Sequence, residues 1–377
     1  MYTKVQRLKP LHFWTCAYQG GSYMKIFVTG GAGYIGSHTV LELLERGYEV
    51  VVADNFTNSK PESIRRIKEL AGIDFPFYEM DVCNALELDR VFREHEVDCV
   101  IHFAGMKAVG ESVEKPLEYY ANNLNSTIAL CHSMKKHDVT KIIFSSSATV
   151  YDAGDEMPLT ENSRTGGCLN PYGWTKFMCE QILTDAVNAN NGSRSDTYNG
   201  WSLVLLRYFN PIGAHESGRI GEDPQDIPNN LMPFIAQTAV GRHPYLNVFG
   251  DDYDTPDGTC IRDYIHVVDL AAGHVAAINY LGAQKGNAGT EPTLPCVSIF
   301  NLGTGKGVSV LELVSAFEEA TGVNIPKKIA PRRPGDGPVC YASTDKAKKE
   351  LGWTAKKTLF EACADTWRWQ KNNPNGY

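Results

Sequence analysis

The run Lys25-Ile26-Phe27-Val28-Thr29-Gly30-Gly31-Ala32-Gly33-Tyr34-Ile35-Gly36 decides the fold. Residues 26–29 are apolar or β-branched, as in a short buried strand. Gly30, Gly33 and Gly36 then give the spacing GxxGxxG, a variant of the dinucleotide-binding fingerprint. Such glycines permit a tight turn, close backbone approach to a pyrophosphate, and packing of the next helix on the strand. A helix over 34–46, stopped by Gly47, presents unpaired N–H groups and the positive end of its dipole to a diphosphate. A glycine triplet alone is weak, since any tight turn uses the same residue. Here a second strand at 49–53 runs into Asp54, 18 residues beyond Gly36. A carboxylate there accepts from both hydroxyls of a ribose and repels a 2′-phosphate, which favours NAD over NADP. Tyr34, Ile35, Asn55, Asn58 and Ser59 are grouped with this site.

Outward from that run, β-branched stretches alternate with amphipathic ones, as in a doubly wound parallel α/β sheet of Rossmann type. Further strands are expected at 75–79, 99–103, 141–146 and 201–208, with helices at 61–70, 86–94, 117–137 and 170–187. Asp81-Val82 after the third strand, Phe103-Ala104-Gly105 closing the fourth, and Lys107 and Asn122 beyond it complete the candidate cofactor positions in this half. After Tyr208 the rhythm breaks into loops rich in Gly, Pro and Asp, with helices at 231–240, 268–280, 310–321 and 359–371. The expected organisation is a nucleotide-binding domain over 24–207, with part of 263–300 packed on it, and a smaller α/β domain mainly over 208–377. Residues 1–23 carry Lys4, Arg7 and Lys9 but no acid, and are expected to be a disordered leader. Residues 188–200 and 282–295 are expected to be solvent loops.

Composition narrows the class. The 377 residues are 43% hydrophobic and 21% charged, enough to bury a large core. The net charge of −8, with no basic stripe, argues against a nucleic-acid partner. No apolar run is long enough to cross a membrane. Ten scattered cysteines, without CxxC or HExxH, suggest reduced thiols in a cytoplasmic protein and no metal site.

The chemistry sits at the fifth strand and the helix after it. The strand ends in Ser145-Ser146-Ser147-Ala148-Thr149-Val150-Tyr151, and the helix opens Pro171-Tyr172-Gly173-Trp174-Thr175-Lys176. Tyr172 and Lys176 are one helical turn apart and share a face. A phenol is a poor base near neutrality, and lowering its pKa by about three units takes roughly 4 kcal/mol of electrostatics. Lys176 and the positive nicotinamide ring of NAD⁺ are candidates to supply it, with Lys176 also reaching the nicotinamide ribose. Ser147, at a strand's C-terminal end, is placed to donate to a substrate oxygen that becomes a carbonyl.

These motifs in this order resemble the extended short-chain dehydrogenase/reductase superfamily, and within it the UDP-galactose 4-epimerases. The likeness runs from Met24 through His102–Ser112, Leu206–Pro211, Glu222-Asp223-Pro224, Ile227–Pro233, Arg262–Val267 and Trp367–Lys371. It implies interconversion of UDP-galactose and UDP-glucose, with tightly bound NAD recycled in each turnover and a homodimeric assembly. Tyr172 is then the base, Lys176 its electrostatic partner and Ser147 the hydroxyl donor, with Ser145 and Tyr208 beside the cofactor. Asn210 falls near the diphosphate, with Asn229, Asn230 and Leu231 nearby. Asn247 and Phe249 line the uracil, Arg262 and Arg333 pair with phosphate oxygens, and Asp336 meets the uridine ribose. Cys340 stands where some relatives carry tyrosine, which implies room for a 2-acetamido group and turnover of UDP-GalNAc and UDP-GlcNAc. Trp174, and Cys260-Ile261 before Arg262, depart from the family pattern.

Other chemistries use the same fold. A sugar-nucleotide 4,6-dehydratase carries an Asp-Glu pair after the strand's serine or threonine, where this chain has Ala148-Thr149. An NAD-dependent nucleotide-sugar reductase or dehydrogenase is the alternative. A non-catalytic NAD sensor would have lost Tyr172 or Lys176, and both are present.

Overall fold

The computed structural model describes residues 24–191, 200–224, 228, 230–283, 296–333 and 336–377. The expected leader at 1–23 and most of both expected solvent loops lie outside them. The central sheet is built from β1 (Lys25–Thr29), β2 (Glu49–Asp54), β3 (Phe77–Glu79), β4 (Cys99–His102), β5 (Lys141–Ser147), β6 (Ser202–Tyr208) and β7 (Val297–Leu302). All seven are parallel, in the order β7-β6-β5-β4-β1-β2-β3. Both faces are covered, so the strands read as continuous apolar runs. Ile26 and Val28 face one core, with Val52, Ile101, Leu206 and Phe300. Phe27 faces the other, with Val51, Val100, Ile142 and Leu205. Helices α1 (Tyr34–Glu45), α2 (Pro61–Ala71), α3 (Ala85–Glu94), α4 (Val109–Glu114), α5 (Pro116–Lys136) and α6 (Pro171–Asn191) connect the first six strands.

Two strands of the central sheet differ most from the sequence-based expectation. The third strand begins at Phe77 instead of residue 75, because Pro76 has no N–H to give the ladder; its carbonyl accepts from Val52 N at 3.0 Å. Phe75 still packs in the core, 5% exposed. Strand β7 was not read as a strand; it extends the sheet from Val297 opposite Leu203 to Leu302 opposite Tyr208. The same excursion carries α8 (Val267–Ala283) onto the sheet, where Leu270, Val275 and Ile278 join the core of Val40 and Leu43.

The remaining residues gather around a third core of Met232, Ile235, Val248, Leu313, Phe317 and Cys363. They supply α7 (Leu231–Ala239), α9 (Val310–Thr321) and α10 (Leu359–Asn372). Capping boxes Ser309/Glu312 and Thr358/Glu361 start α9 and α10 by satisfying otherwise orphaned N–H groups. Strand Ile261–Arg262 lies between Val308–Ser309 and Val339–Cys340, and Leu246–Phe249 pairs with Lys327–Ala330.

Candidate active site

Strand order reverses between β1 and β4, and ligands of open α/β sheets bind outside the carboxyl ends of strands at such a point. The Gly30–Gly36 turn leaves β1 there, and Phe103-Ala104-Gly105 leaves β4 beside it. Gly30 adopts φ +73°, and a Cβ on it would lie 2.6 Å from Ala104 N. A Cβ on Gly36 would lie 2.2 Å from Gly30 O. Both glycines are therefore required by the protein's own packing. Gly33 is different: a Cβ there meets only Gly30 O, at an ordinary 3.4 Å. Gly33 caps α1, and no side chain caps the helix N-terminus. Open space at Gly33 above the Tyr34, Ile35 and Gly36 amides fits the diphosphate of NAD.

Asp54 ends β2 with its carboxylate 8% exposed at residue level. It accepts from Ala32 N at 3.0 Å, Phe56 N at 2.9 Å and Ser59 Oγ at 2.7 Å. It thus ties the glycine turn to the loop after β2 and keeps acceptor capacity for ribose hydroxyls. Asn55 caps its own turn through Thr57 N at 3.1 Å, and Asn58 is exposed. Asp81 accepts from Cys83 N at 2.8 Å, while Val82 is buried in the core. Lys107 pairs with Glu222 at 3.2 Å and Tyr34 donates to Gly213 O at 2.6 Å, so both hold the second half against the cradle.

The candidate catalytic groups lie at the C-terminal end of β5. Tyr172 and Lys176 are 6% and 5% exposed on α6. Lys176 Nζ donates to Ser145 O at 2.9 Å and stands 4.7 Å from the Phe144 ring centroid. Burial lowers its ammonium from the usual range to about 8, with Cys179 and Glu180 pulling the other way. Burial pushes the Tyr172 phenol up, the neighbouring Tyr208 adds to this, and a hydrogen bond with Ser147 opposes it. In this arrangement the Lys176 ammonium is turned to the Ser145 carbonyl. Ser147 Oγ accepts from Thr149 N at 3.2 Å and Thr149 Oγ1 at 3.0 Å, which leaves its own proton for the Tyr172 oxygen. Ser145 Oγ donates to the Tyr208 hydroxyl at 3.1 Å.

Sequence reasoning missed two supports of this site. Asn123, 3% exposed, accepts from Met106 N at 2.8 Å and from the Asn122 amide at 3.0 Å. It also donates to Met106 O at 3.0 Å and Thr175 Oγ1 at 2.9 Å, locking the loop after β4 to α6. Glu180, one turn beyond Lys176, accepts from Ser146 Oγ at 2.5 Å and from Arg207 Nε and Nη2 at 2.9 and 2.6 Å. A polar residue on a buried helix face was the available signal for each. His102 sits between Thr29 and Thr127 hydroxyls at 2.7 and 3.2 Å, and His266 meets Asp365 at 3.3 Å, so both imidazoles are satisfied within the fold.

On the far side, three residues assigned to the nucleotide pair with one another. Asp336 accepts from Arg333 Nε at 3.0 Å and lies 3.7 Å from Arg262 Nη2. Two guanidiniums against one carboxylate leave a net positive patch suited to a diphosphate. Arg333 lies 4.9 Å over the Phe249 ring, on the same strand as Asn247. Cys340 pairs in register with Arg262 and packs against Val150, Tyr151, Leu159 and Phe209. Asn210 N donates to Asp263 O at 2.9 Å, and the Asn230 amide donates to Glu222 at 2.9 Å. Leu231 opens α7, and Asn229 lies outside the described residues. Of the departures, Trp174 packs edge-on against Phe177 at 5.9 Å, and Cys260 is buried.

Comparison with known proteins agrees with this geometry. A family model described as the NAD dependent epimerase/dehydratase family matches residues 26–289. The UDP-glucose 4-epimerase of Bacillus subtilis is 56% identical over 94% of this chain and 99% of its own. That of Homo sapiens is 55% identical over 94% and 98%. The crystal structure of UDP-glucose 4-epimerase from Bifidobacterium longum in complex with NAD+ and UDP superposes with a TM-score of 0.86. Its identity is 52%, over 94% of this chain and all of that one. With this family model over more than half its length and relatives 55–56% identical over 94% of it, the chain belongs to the NAD-dependent epimerase/dehydratase family.

Proposed function

We propose that this chain is a UDP-glucose 4-epimerase that interconverts UDP-galactose and UDP-glucose by oxidation at C4, turning of the 4-keto sugar, and re-reduction. The observation that carries the reading is the Tyr172/Lys176 pair, buried beside Ser147 at the carboxyl end of the sheet where the Gly30–Gly36 turn also lies. Held by the Gly30–Gly36 turn and Asp54, NAD would supply the hydride acceptor and donor and a positive ring near the phenol. Tyr172 takes the 4-hydroxyl proton and, once the 4-keto sugar has turned, returns it to the same oxygen. Ser147 donates to the C4 oxygen as it becomes a carbonyl, in a site that excludes water and so strengthens the bond. Lys176 fixes the cofactor ribose and adds positive charge near the phenol. Arg262 and Arg333 grip the diphosphate while Phe249 and Asn247 hold the base. Binding energy placed on UDP, remote from C4, leaves the hexose free to turn. Phenylalanine at position 172 is expected to abolish turnover while UDP binding, read by calorimetry, stays within about threefold; loss of both together contradicts the assignment.

The reading extends to assembly and setting. Leu117, 77% exposed, and Ile128, 39% exposed, lie on one side of α5 with Val113 nearby, an apolar face that supports pairing with a second copy. Free thiols at Cys83, Cys99, Cys131, Cys168, Cys179, Cys260, Cys340 and Cys363 support a reducing, cytoplasmic setting. Among the same residues no helix is long and apolar enough to cross a membrane. The small Cys340 side chain supports a wider substrate range that includes UDP-GalNAc and UDP-GlcNAc.

A further inference from the structure

Two acids, Glu222 and Asp223, stand beside a crevice built for an anion, with side chains only 11% and 7% exposed. Each is paired with a lysine from a different loop of the nucleotide half. Lys60, just past the Asp54–Ser59 turn, donates to Asp223 Oδ2 at 2.7 Å. Lys107, on the loop after β4, donates to Glu222 Oε1 at 3.2 Å. Because β1 lies between β2 and β4, these two loops flank the Gly30–Gly36 turn on either side. The segment Gly221-Glu222-Asp223 therefore spans the crevice mouth.

The segment is backed by α10 and the residues after it. Trp369 Nε1 donates to Glu222 O at 3.1 Å, and Tyr377 N donates to Asp223 Oδ2 at 3.0 Å. A Cβ on Gly221 would lie 2.4 Å from the Trp369 ring, so the backbone is seated directly on it. Arg66 of α2 lies 5.8 Å over Trp369 and 5.1 Å over Tyr377, fastening this backing to the nucleotide half.

We propose that Glu222 and Asp223, through Lys107 and Lys60, form a clasp across the cofactor crevice that sets how slowly NAD leaves. The inference rests on the NAD-dependent epimerase reading. The lysines neutralise the acids, so the clasp closes over an anionic ligand without repelling it, and opening it breaks two ion pairs whose carboxylates are nearly buried. Lys60 and Asp223 touch no reacting group, so they govern release and not chemistry.

The test loads the full chain with radiolabelled NAD and chases it with excess unlabelled NAD. Lys60→Met and Asp223→Asn are each expected to release label about tenfold faster, as for losing one partner of an ion pair whose carboxylate is buried. Lys60→Arg, which keeps the charge, is expected to release at the parental rate. Turnover at saturating NAD should stay within about twofold in all three. Parental release rates in both Lys60→Met and Asp223→Asn overturn the clasp. A parental protein that binds no NAD overturns the epimerase reading instead.

Discussion

Replacing Glu180 by glutamine tests how the reacting helix is held. Glu180 and Arg207 are 5% and 4% exposed, and their two contacts of 2.9 and 2.6 Å make a bidentate pair between α6 and β6. Ser146 on β5 adds a third bond to the same carboxylate at 2.5 Å. Glu180→Gln keeps the shape but removes the negative charge, leaving Arg207 buried and uncompensated at a cost of about 3–5 kcal/mol. For a chain of this size about 2 °C is lost per kcal/mol, so Tm should fall by about 6–10 °C. Replacing both partners, Glu180→Leu with Arg207→Met, removes the unpaired charge, and stability should return to within about 1.5 kcal/mol of the parent. Urea unfolding followed by tryptophan fluorescence at fixed NAD reads both. A loss below about 1 kcal/mol in Glu180→Gln refutes the reasoning, as does a double variant no more stable than the single one.

Further outcomes follow from the same geometry. Gly33→Ala should fold normally but lose NAD by calorimetry, because its Cβ meets only an ordinary 3.4 Å contact, whereas Gly36→Ala should fail to fold, its Cβ lying 2.2 Å from Gly30 O. Burial lowers Lys176 to about 8, so its charge is present below that pH and lost as pH rises through it. Turnover should decline on that alkaline limb, and Lys176→Arg should remove the limb even if the rate is lower, in a pH–rate profile. Cys340→Tyr should cut turnover of UDP-GalNAc at least about tenfold relative to UDP-galactose, since a buried clash costs over 1 kcal/mol. Equal loss on both sugars would show that Cys340 does not set substrate range.

Much of this molecule is legible in its sequence because period and glycine spacing are local. Lys25–Gly36 gives strand, turn and helix start directly, and Tyr172 and Lys176 announce a shared face by separation alone. Strand β7 escaped because its polar Ser298 and Asn301 interrupt the apolar run, and it is identified only by pairing with β6. The Glu180–Arg207 pair was hidden because the two residues are 27 apart and each alone looks like a solvated charge. The Asp336–Arg262–Arg333 cluster shows a related limit: ion-pairing among ligand-binding residues depends on tertiary approach that no motif encodes. The Tyr172 phenol, raised by burial, could not be read from the Lys176 spacing, because the ammonium direction is set by the Ser145 carbonyl.

The most direct measurement gives the purified full chain UDP-galactose with no added NAD and follows UDP-glucose by chromatography. The account predicts continuous turnover on retained cofactor. Product that forms only with stoichiometric external NAD or NADH would contradict it, in favour of a dehydrogenase or reductase.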